Sequence, residues 1–222
     1  IFYKGELQEG LLRADLDHLK EKLLELPRDT FLYRDFQGRN IMLKHNDIYF
    51  IDFQSGRKGA LLYDMASLLY NSKANIPQEI REDLIKYYLD VIAEQVNIDK
   101  DKYMKYFWYF AIIRILQALG AYGYLGIVKA KGSFLDSVPI ALKNINFILN
   151  NRIDPDELKY LRSLVATLEG EKSQTPADTL QHEENIQPVE EVQPAEQVQP
   201  KPVTQPEEKV QPEEKVQPEE KV

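Results

Sequence analysis

The sequence has no cysteine, a single tryptophan and, after Tyr160, no aromatic residue. The lack of cysteine excludes disulfides and thiolate metal sites. The three histidines are scattered along the chain, at His18, His45 and His182, so no histidine-based metal site is indicated. Because the aromatic side chains that build a core stop at Tyr160, the folded part of the chain is expected to end soon after it.

Acidic charge is concentrated at the C-terminal end of the chain. Of the 36 acidic residues 13 follow Gly170, against 5 of the 28 basic residues, so this segment carries the entire formal net charge of -8. Residues 1–169 are consequently neutral. Neutrality argues against nucleic acid as a partner, because nucleic-acid binding needs a positively charged surface.

Residues 170–222 form a repetitive acidic tail. From Gln187 the sequence repeats every six residues and ends in three copies of QPEEKV. A proline in each hexad blocks a continuous helix, and one valine per hexad buries too little surface to offset the entropy of ordering. We therefore predict a disordered tail in preference to a parallel β-helix. Its repeats suggest a role in tethering another domain or docking a protein partner.

Residues 1–169 are predicted to form one mainly helical α+β domain, because their apolar residues recur at helical spacing. Helices are expected between Gly10 and Pro27, over 64–70, from Pro77 to about Gln95, over 100–119, over 137–150 and over 155–168. The last start is indicated by "DPDE", which offers a cap, a first-turn proline and acids that match the helix dipole.

The longest apolar stretch, residues 107–128, is long enough to span a bilayer. Arg114 and Gln117 lie in its middle, where a charge in lipid is costly, and three glycines follow. We therefore predict a buried core helix and no membrane association. No signal-like start is visible, and a cytoplasmic location is expected.

The strand signal lies in FLYRDFQGRNIMLKHNDIYFIDFQ, residues 31–54. Two apolar runs separated by KHND predict a buried β-hairpin. Asp35 and Asn40 precede its first strand and Asp52 ends its second, and paired strands lie about 5 Å apart. Asn40 and Asp52 are therefore predicted to share a Mg²⁺ ion, with Asp35 accepting the proton of an attacking hydroxyl, as phosphoryl transfer requires. Turn or cap roles without chemistry are the alternative for each residue taken singly.

The motifs YRDFQGRN and IDFQ, followed by YDMASLL, resemble those of the aminoglycoside phosphotransferase and choline kinase family, small-molecule relatives of protein kinases. The resemblance covers roughly residues 10–150. Within that family, the sequence is similar to bacterial kinases that phosphorylate N-acetylmuramate and N-acetylglucosamine at the anomeric hydroxyl. The segment with Arg114, Gln117 and Gly120 contributes to this similarity. The resemblance implies ATP and Mg²⁺ as cofactors and an amino sugar or aminoglycoside-like molecule as substrate.

The resemblance also implies a role for each matching residue. Asp35 would be the catalytic base, and Asn40 and Asp52 would hold the magnesium of the nucleotide. Asp64 would be a structural carboxylate that caps backbone amides of its own helix or of the catalytic loop. Tyr33 stands where the family usually has histidine, and it is expected to pack there and donate a hydrogen bond.

Two arginines are further substrate candidates. Arg57, in QSGRKGA, is expected to meet an anionic substrate or phosphate, or else to be a solvated loop charge. Arg114 is expected to line the substrate cleft, or else to be a core cation paired with a carboxylate.

The family binds ATP through an N-terminal lobe with a glycine-rich loop and a strand lysine. About 30 residues precede the YRDFQGRN motif here, so the sequence resembles the C-terminal lobe of a protein-kinase-like fold alone. Two functions follow from this comparison. The first is an ATP-dependent phosphotransferase acting on a hydroxyl of a small molecule. The alternative is a kinase-derived binding or regulatory module without catalysis.

Overall fold

Six α-helices hold most of residues 6–170, the part of the chain that the computed structural model describes. They are α1 (Glu9–Leu24), α2 (Leu62–Leu69), α3 (Gln78–Ala93), α4 (Lys100–Gly123), α5 (Val138–Asn151) and α6 (Lys159–Gly170). The predicted α+β class, mainly helical, is confirmed. The predicted tail, from residue 171 onwards, lies outside the described residues.

The predicted hairpin is present. Strand β2 (Ile41–Lys44) pairs antiparallel with β3 (Asp47–Phe50), and Ile41 lies opposite Phe50. The two turn residues, His45 and Asn46, have φ of 51° and 68°. Positive φ at both central positions is the geometry of a type I′ turn, which matches the twist of the strands that it joins.

A second strand pair was not predicted from the sequence. Strand β1 (Thr30–Leu32) pairs antiparallel with β4 (Arg57–Gly59). A Cβ atom at Gly59 would lie 2.7 Å from Cδ2 of Leu32, so only glycine permits this close approach. The pair fixes the chain immediately before Tyr33 and closes residues 33–56 into one loop that contains the hairpin.

The prediction that the hairpin strands are buried is wrong for the described residues. Six apolar positions on either side of the turn have exposed fractions from 45% to 72%: Met42, Leu43, Ile48, Tyr49, Phe50 and Ile51. Both faces of the two-stranded sheet are open here, apart from a small cluster of aromatic rings under one end. An apolar run identifies a strand by its period and length, but it does not show what covers the strand.

Helix α4 is the centre of the core and packs against α1, α2, α3 and α5. Four consecutive aromatic residues, from Phe107 to Phe110, are all buried. Trp108 contacts the rings of Phe107 and Tyr70 edge-on, and the guanidinium of Arg152 lies 5.1 Å from its ring centre. A helix that is apolar on every side needs neighbours on every side, and α4 has them over residues 106–112.

By length and composition alone, Lys100–Val128 is long and apolar enough to cross a membrane, and it is the one such stretch among the described residues. The first half lies in the helical core. At its end, α4 passes into a π-helical segment, Tyr124–Val128, where Tyr124, Ile127 and Val128 are about half-exposed.

The predicted start of the last helix is wrong. Helix α6 begins at Lys159, four residues after the proline of "DPDE". Asp154 caps a turn instead of the helix, since its Oδ1 accepts a hydrogen bond from the amide of Asp156 at 2.9 Å. Leu158 then takes a left-handed conformation with φ of 52°. Aspartate bonds its own backbone two residues on as readily as it caps a helix, and here the turn prevails.

A tyrosine connects α3 to the beginning of α2. The hydroxyl of Tyr88 donates to the backbone carbonyl of Leu61 at 2.9 Å. Burial, reinforced by the negative charge of Asp64, raises the pKa of the Tyr88 phenol to about 12. The folded chain therefore keeps this proton at pH values where the unfolded chain loses it.

The free energy of unfolding should consequently fall as the pH rises from about 10 to about 12. A phenol with a raised pKa contributes stability that is complete below its unfolded pKa and is lost as the pH rises through the folded value. Urea denaturation at several pH values in this window should show a smaller loss for Tyr88→Phe than for the native chain. Tyr87→Phe, at the exposed neighbouring position, is the control and should follow the native curve. Parallel curves for native protein and Tyr88→Phe would contradict the assignment.

Candidate active site

One carboxylate on α2, that of Asp64, binds the loop that follows β1. Asp64 accepts hydrogen bonds from the backbone amide of Tyr33 at 2.6 Å and from that of Arg34 at 2.9 Å. Arg34 has φ of 77°, a left-handed conformation that is unfavourable for a residue with a side chain. The two bonds hold the chain in this conformation. Asp64 therefore fixes the position of the backbone at the next residue, Asp35.

Asp64 is partly desolvated. Burial raises the pKa of its carboxyl above the ordinary value, while the amides of Tyr33 and Arg34 and the positive charge of Arg114 act in the opposite direction. A carboxylate removed from water needs such partners in order to remain charged. The loop and helix α4 thus both contribute to the ionisation of Asp64.

Asp35 lies at the centre of a small hydrogen-bonded group. Its Oδ2 accepts from Nη2 of Arg39 at 2.9 Å, and its Oδ1 accepts from the side-chain amide of Gln37. Asn40 is buried, and its Nδ2 donates to the backbone carbonyl of Asp35 at 2.8 Å. The Arg39 side chain is 68% exposed, so its ion pair with Asp35 contributes little to stability. Asp35 is therefore positioned mainly by the loop and by Asn40.

Asp52 is brought beside Asn40 by the base of the hairpin. The amide of Ile51 donates to the carbonyl of Asn40 at 3.0 Å, which extends the strand pairing by one step. The next residue, Asp52, is exposed and has φ of 67°. This left-handed residue ends the strand, and its Oδ1 accepts from Gln54 Nε2 at 2.8 Å.

Tyr33 joins the loop to the hairpin. Its ring packs against those of Phe36 and Phe50, with centroids 5.4 and 6.4 Å away, and its hydroxyl donates to the carbonyl of Ile51. Burial raises the pKa of the phenol, and the negative charges of Asp52, Asp35 and Asp64 raise it further. The three carboxylates of the site therefore surround one tyrosine. Tyr33 therefore packs and donates a hydrogen bond, as the sequence predicted.

Two cavities open beside this group and share a wall. The larger, of about 420 Å³, is lined by Arg34, Asp35, Ser55, Tyr63, Arg114 and Gln117. The smaller, of about 240 Å³, is lined by ten residues, among them Gln37, Arg39, Ser67, Asn71, Arg114 and Gln117. Arg114 and Gln117, from α4, lie on both. A molecule in the larger cavity is thus in reach of the Asp35 carboxylate and of α4.

The two arginines proposed from the sequence are placed differently. Arg114 lies on both cavities, where its guanidinium contacts α2. Arg57 is exposed on β4 and lines neither cavity. A substrate contact for Arg57 stays a prediction that the geometry does not favour.

The sequence prediction missed several polar side chains of the site. Tyr63, Ser67 and Asn71 recur at intervals of four along and just beyond α2, so they share one side of it. The hydroxyl of Tyr63 donates to Oε1 of Gln117 at 3.1 Å, and Asn71 donates to Oε1 of Gln37 at 3.1 Å. Polar residues at helical spacing within an apolar helix were the signal available in "YDMASLL".

The oxygen donors fit a magnesium ion that is also bound by phosphates. Among residues 6–170 no group of three or more histidine, cysteine or acidic residues is arranged to hold a metal. Magnesium differs from metals that need such a cage, because it commonly takes one or two protein ligands together with phosphate oxygens and water. Asn40 donates through its nitrogen, and in the described part of the chain its Oδ1 accepts no hydrogen bond. Asn40 Oδ1 and the Asp52 carboxylate could supply these one or two protein ligands.

Comparison with known proteins agrees with this chemistry. Residues 3–101 match the family model of the phosphotransferase enzyme family. The matched segment contains Asp35, Asn40, Asp52 and Asp64, and it ends at the start of α4, before Arg114. No curated protein matches the chain significantly. The family match supports phosphotransferase chemistry, and it does not extend to a particular substrate.

Replacing Asp64 by asparagine should destabilise the loop. An amide has one acceptor oxygen, and its NH₂ group would face one of the two backbone amides that Asp64 now binds. We expect Asp64→Asn to lower the free energy of unfolding by about 1 kcal/mol, the lower end of the cost of a donor left without a partner, because the two donors are only partly buried. Urea denaturation measures this, with Asp83→Asn on the exposed side of α3 as the matched control. Equal stability of the two variants would show that the bonds to the loop are unimportant.

Proposed function

We propose that the chain carries the catalytic part of a small-molecule kinase that transfers the γ-phosphate of ATP to a hydroxyl of an amino sugar. The observation that supports this most directly is the convergence of Asp35, Asn40 and Asp52 at the base of one hairpin, beside a cavity that opens on Asp35. The family match over residues 3–101 supports the same class of reaction. Described residues 6–170 would correspond to the C-terminal lobe of a protein-kinase-like fold.

In this proposal Asp35 is the catalytic base. The acceptor hydroxyl lies in the larger cavity, its oxygen attacks the γ-phosphorus, and its proton passes to a carboxylate oxygen of Asp35 as the bond to ADP breaks. Such proton transfer contributes about 10²–10⁴-fold to a rate. Gln37 and Arg39, which now donate to the two carboxylate oxygens, would orient the group and yield one oxygen to the substrate.

Asn40 Oδ1 and the Asp52 carboxylate would hold the magnesium ion of the nucleotide. The ion supplies neutralisation of the phosphate charge. The chain contributes the rigid placement of the two ligands. Asn40 is buried and bonded to Asp35, and Asp52 follows Ile51, whose amide and carbonyl are both hydrogen-bonded.

A second candidate function is a kinase-derived module that binds a ligand without transferring phosphate. One observation favours it: both carboxylate oxygens of Asp35 already accept hydrogen bonds from its own loop. In that case nucleotide and magnesium would bind, or a sugar alone would bind, with no product formed. Binding measurements made beside the transfer assay therefore separate the two functions.

The Asp35→Asn variant tests the proposed base. With labelled ATP, Mg²⁺, the full-length protein and a panel of N-acetylmuramate, N-acetylglucosamine, an aminoglycoside and choline, we expect transfer to one acceptor class. In Asp35→Asn, kcat should fall by about 10²–10⁴-fold, because an amide accepts no proton. Asp47→Asn, an exposed carboxylate on the same hairpin, should leave kcat unchanged. Substantial turnover by Asp35→Asn would remove Asp35 from the role of base.

The Asp52→Asn variant tests the proposed magnesium site. Loss of a charged ligand should raise the Mg²⁺ concentration needed for half-maximal transfer, whereas Asp35→Asn should leave the Mg²⁺ dependence of nucleotide binding unaltered. A titration of Mg²⁺ at fixed ATP measures both. An unchanged Mg²⁺ requirement in Asp52→Asn would show that the ion is held elsewhere.

A further inference from the structure

Arg114 is surrounded by neutral acceptors. Its Nη1 donates to the hydroxyl of Tyr63 at 2.8 Å and to Oε1 of Gln117 at 2.7 Å, and its Nη2 donates to the hydroxyl of Ser67 at 2.9 Å. The ring of Tyr63 also lies against the guanidinium, with 4.9 Å between its centre and Cζ. These contacts fix the position of the charge without neutralising it.

The positive charge of Arg114 has no direct counter-ion in the described part of the chain. None of the ion pairs within 4.0 Å there includes Arg114, and its buried Nε has no hydrogen-bond partner. Asp64 feels the charge of Arg114, but the two oxygens of Asp64 are taken by backbone amides. A partly buried charge is normally paired, so this one is available to an anion from outside.

The side chains that line the two cavities carry more positive than negative charge, which also favours an anion. The smaller cavity is lined by Arg114 and Arg39 and by no acidic residue. In the larger, Asp35 is the single acid, beside Arg34 and Arg114. A cationic acceptor would meet three guanidinium groups and one carboxylate. An acceptor with a negative group is electrostatically complementary to these walls.

Gln117 marks where a negative oxygen would lie. Its Oε1 accepts hydrogen bonds from Arg114 Nη1 at 2.7 Å and from the hydroxyl of Tyr63 at 3.1 Å. Gln117 is exposed, so its side chain can turn away at little cost. An oxygen of a bound carboxylate that took its place would receive both donors, one of them charged.

We propose that Arg114 is a specificity-determining residue that binds a carboxylate of the acceptor, at the position now held by Oε1 of Gln117. The inference rests on the proposed function, because the same acceptor presents its hydroxyl to Asp35. The cavity that contains Asp35 also contains Arg114 and Gln117, so one molecule can meet both. The favoured acceptor is then an acidic sugar, and polycationic acceptors are disfavoured.

The test compares two sugars that differ by one carboxylate. N-acetylmuramate carries a carboxylate-bearing ether that N-acetylglucosamine lacks. Binding of each is measured by titration calorimetry without ATP, and KM and kcat are measured with ATP. Arg114→Gln removes the charge. Gln117→Glu keeps Arg114 and places a carboxylate of the chain in the proposed position, so it gives an answer even if Arg114→Gln folds poorly.

The native chain should bind the charged sugar more tightly than the neutral one. Both variants should weaken binding of the charged sugar by about tenfold to a hundredfold, the usual effect of one charge-assisted hydrogen-bonded contact. The neutral sugar should change by no more than about twofold in either variant. Gln117→Ala separates loss of the amide from gain of a charge, and it should retain the preference for the charged sugar. Arg13→Gln, an exposed arginine on α1, controls for the change in net charge.

Three results would overturn the assignment. The native chain showing no preference for the charged sugar would do so, as would equal weakening of both sugars by Arg114→Gln. An equal fall in kcat for both sugars, without a change in KM, would instead make Arg114 a contact of the transferred phosphoryl group. Arg114-dependent binding of the charged sugar with no transfer would leave this inference standing and remove the kinase function. Transfer to both sugars with equal efficiency, which is the result without a preference, would leave the kinase function standing and remove this inference.

Discussion

The arrangement of the site depends on one side chain, the carboxylate of Asp64. It lies on α2, which packs on the central helix α4, and it bonds the two amides immediately before Asp35. Through these bonds a rigid helical core fixes a loop whose backbone would otherwise leave the left-handed conformation at Arg34. The desolvation of Asp64 is the cost of this arrangement. The Asp64 carboxylate thus has a structural role, and the hydrogen bonds that it accepts come from backbone amides.

Helix α4 contributes to the core and to the walls of the two cavities, with different segments. Its middle segment, residues 106–112, is buried on every side around Phe107 and Trp108. Its second half presents Arg114 and Gln117 to the cavities. Arg81 also donates to a neutral side-chain amide, that of Asn144, but it is buried in the core over the ring of Tyr70 and lines neither cavity. Similar bonding therefore occurs within the core at Arg81 and at the wall of two cavities at Arg114.

Features with a local pattern were predictable from the sequence, and features that depend on contacts between distant segments were not. The hairpin followed from two apolar runs around KHND, and the candidates Asp35, Asn40 and Asp52 followed from their spacing about it. The pairing of β1 with β4 was missed, because three-residue strands 25 residues apart carry no shared pattern. The neutral partners of Arg114 come from α2 as well as from α4, so the sequence around Arg114 left its environment undecided between cleft and core.

The position of Trp108 determines what optical measurements on this protein report. It is the only tryptophan, it is 6% exposed, and it lies between Tyr70, Phe107 and Arg152 within the helices. Its fluorescence therefore follows the packing of the helical core and is insensitive to the hairpin, whose aromatic residues are Tyr49 and Phe50. A variant that loses ligand binding with an unaltered emission spectrum has been changed on the loop side of the molecule, while its interior is intact.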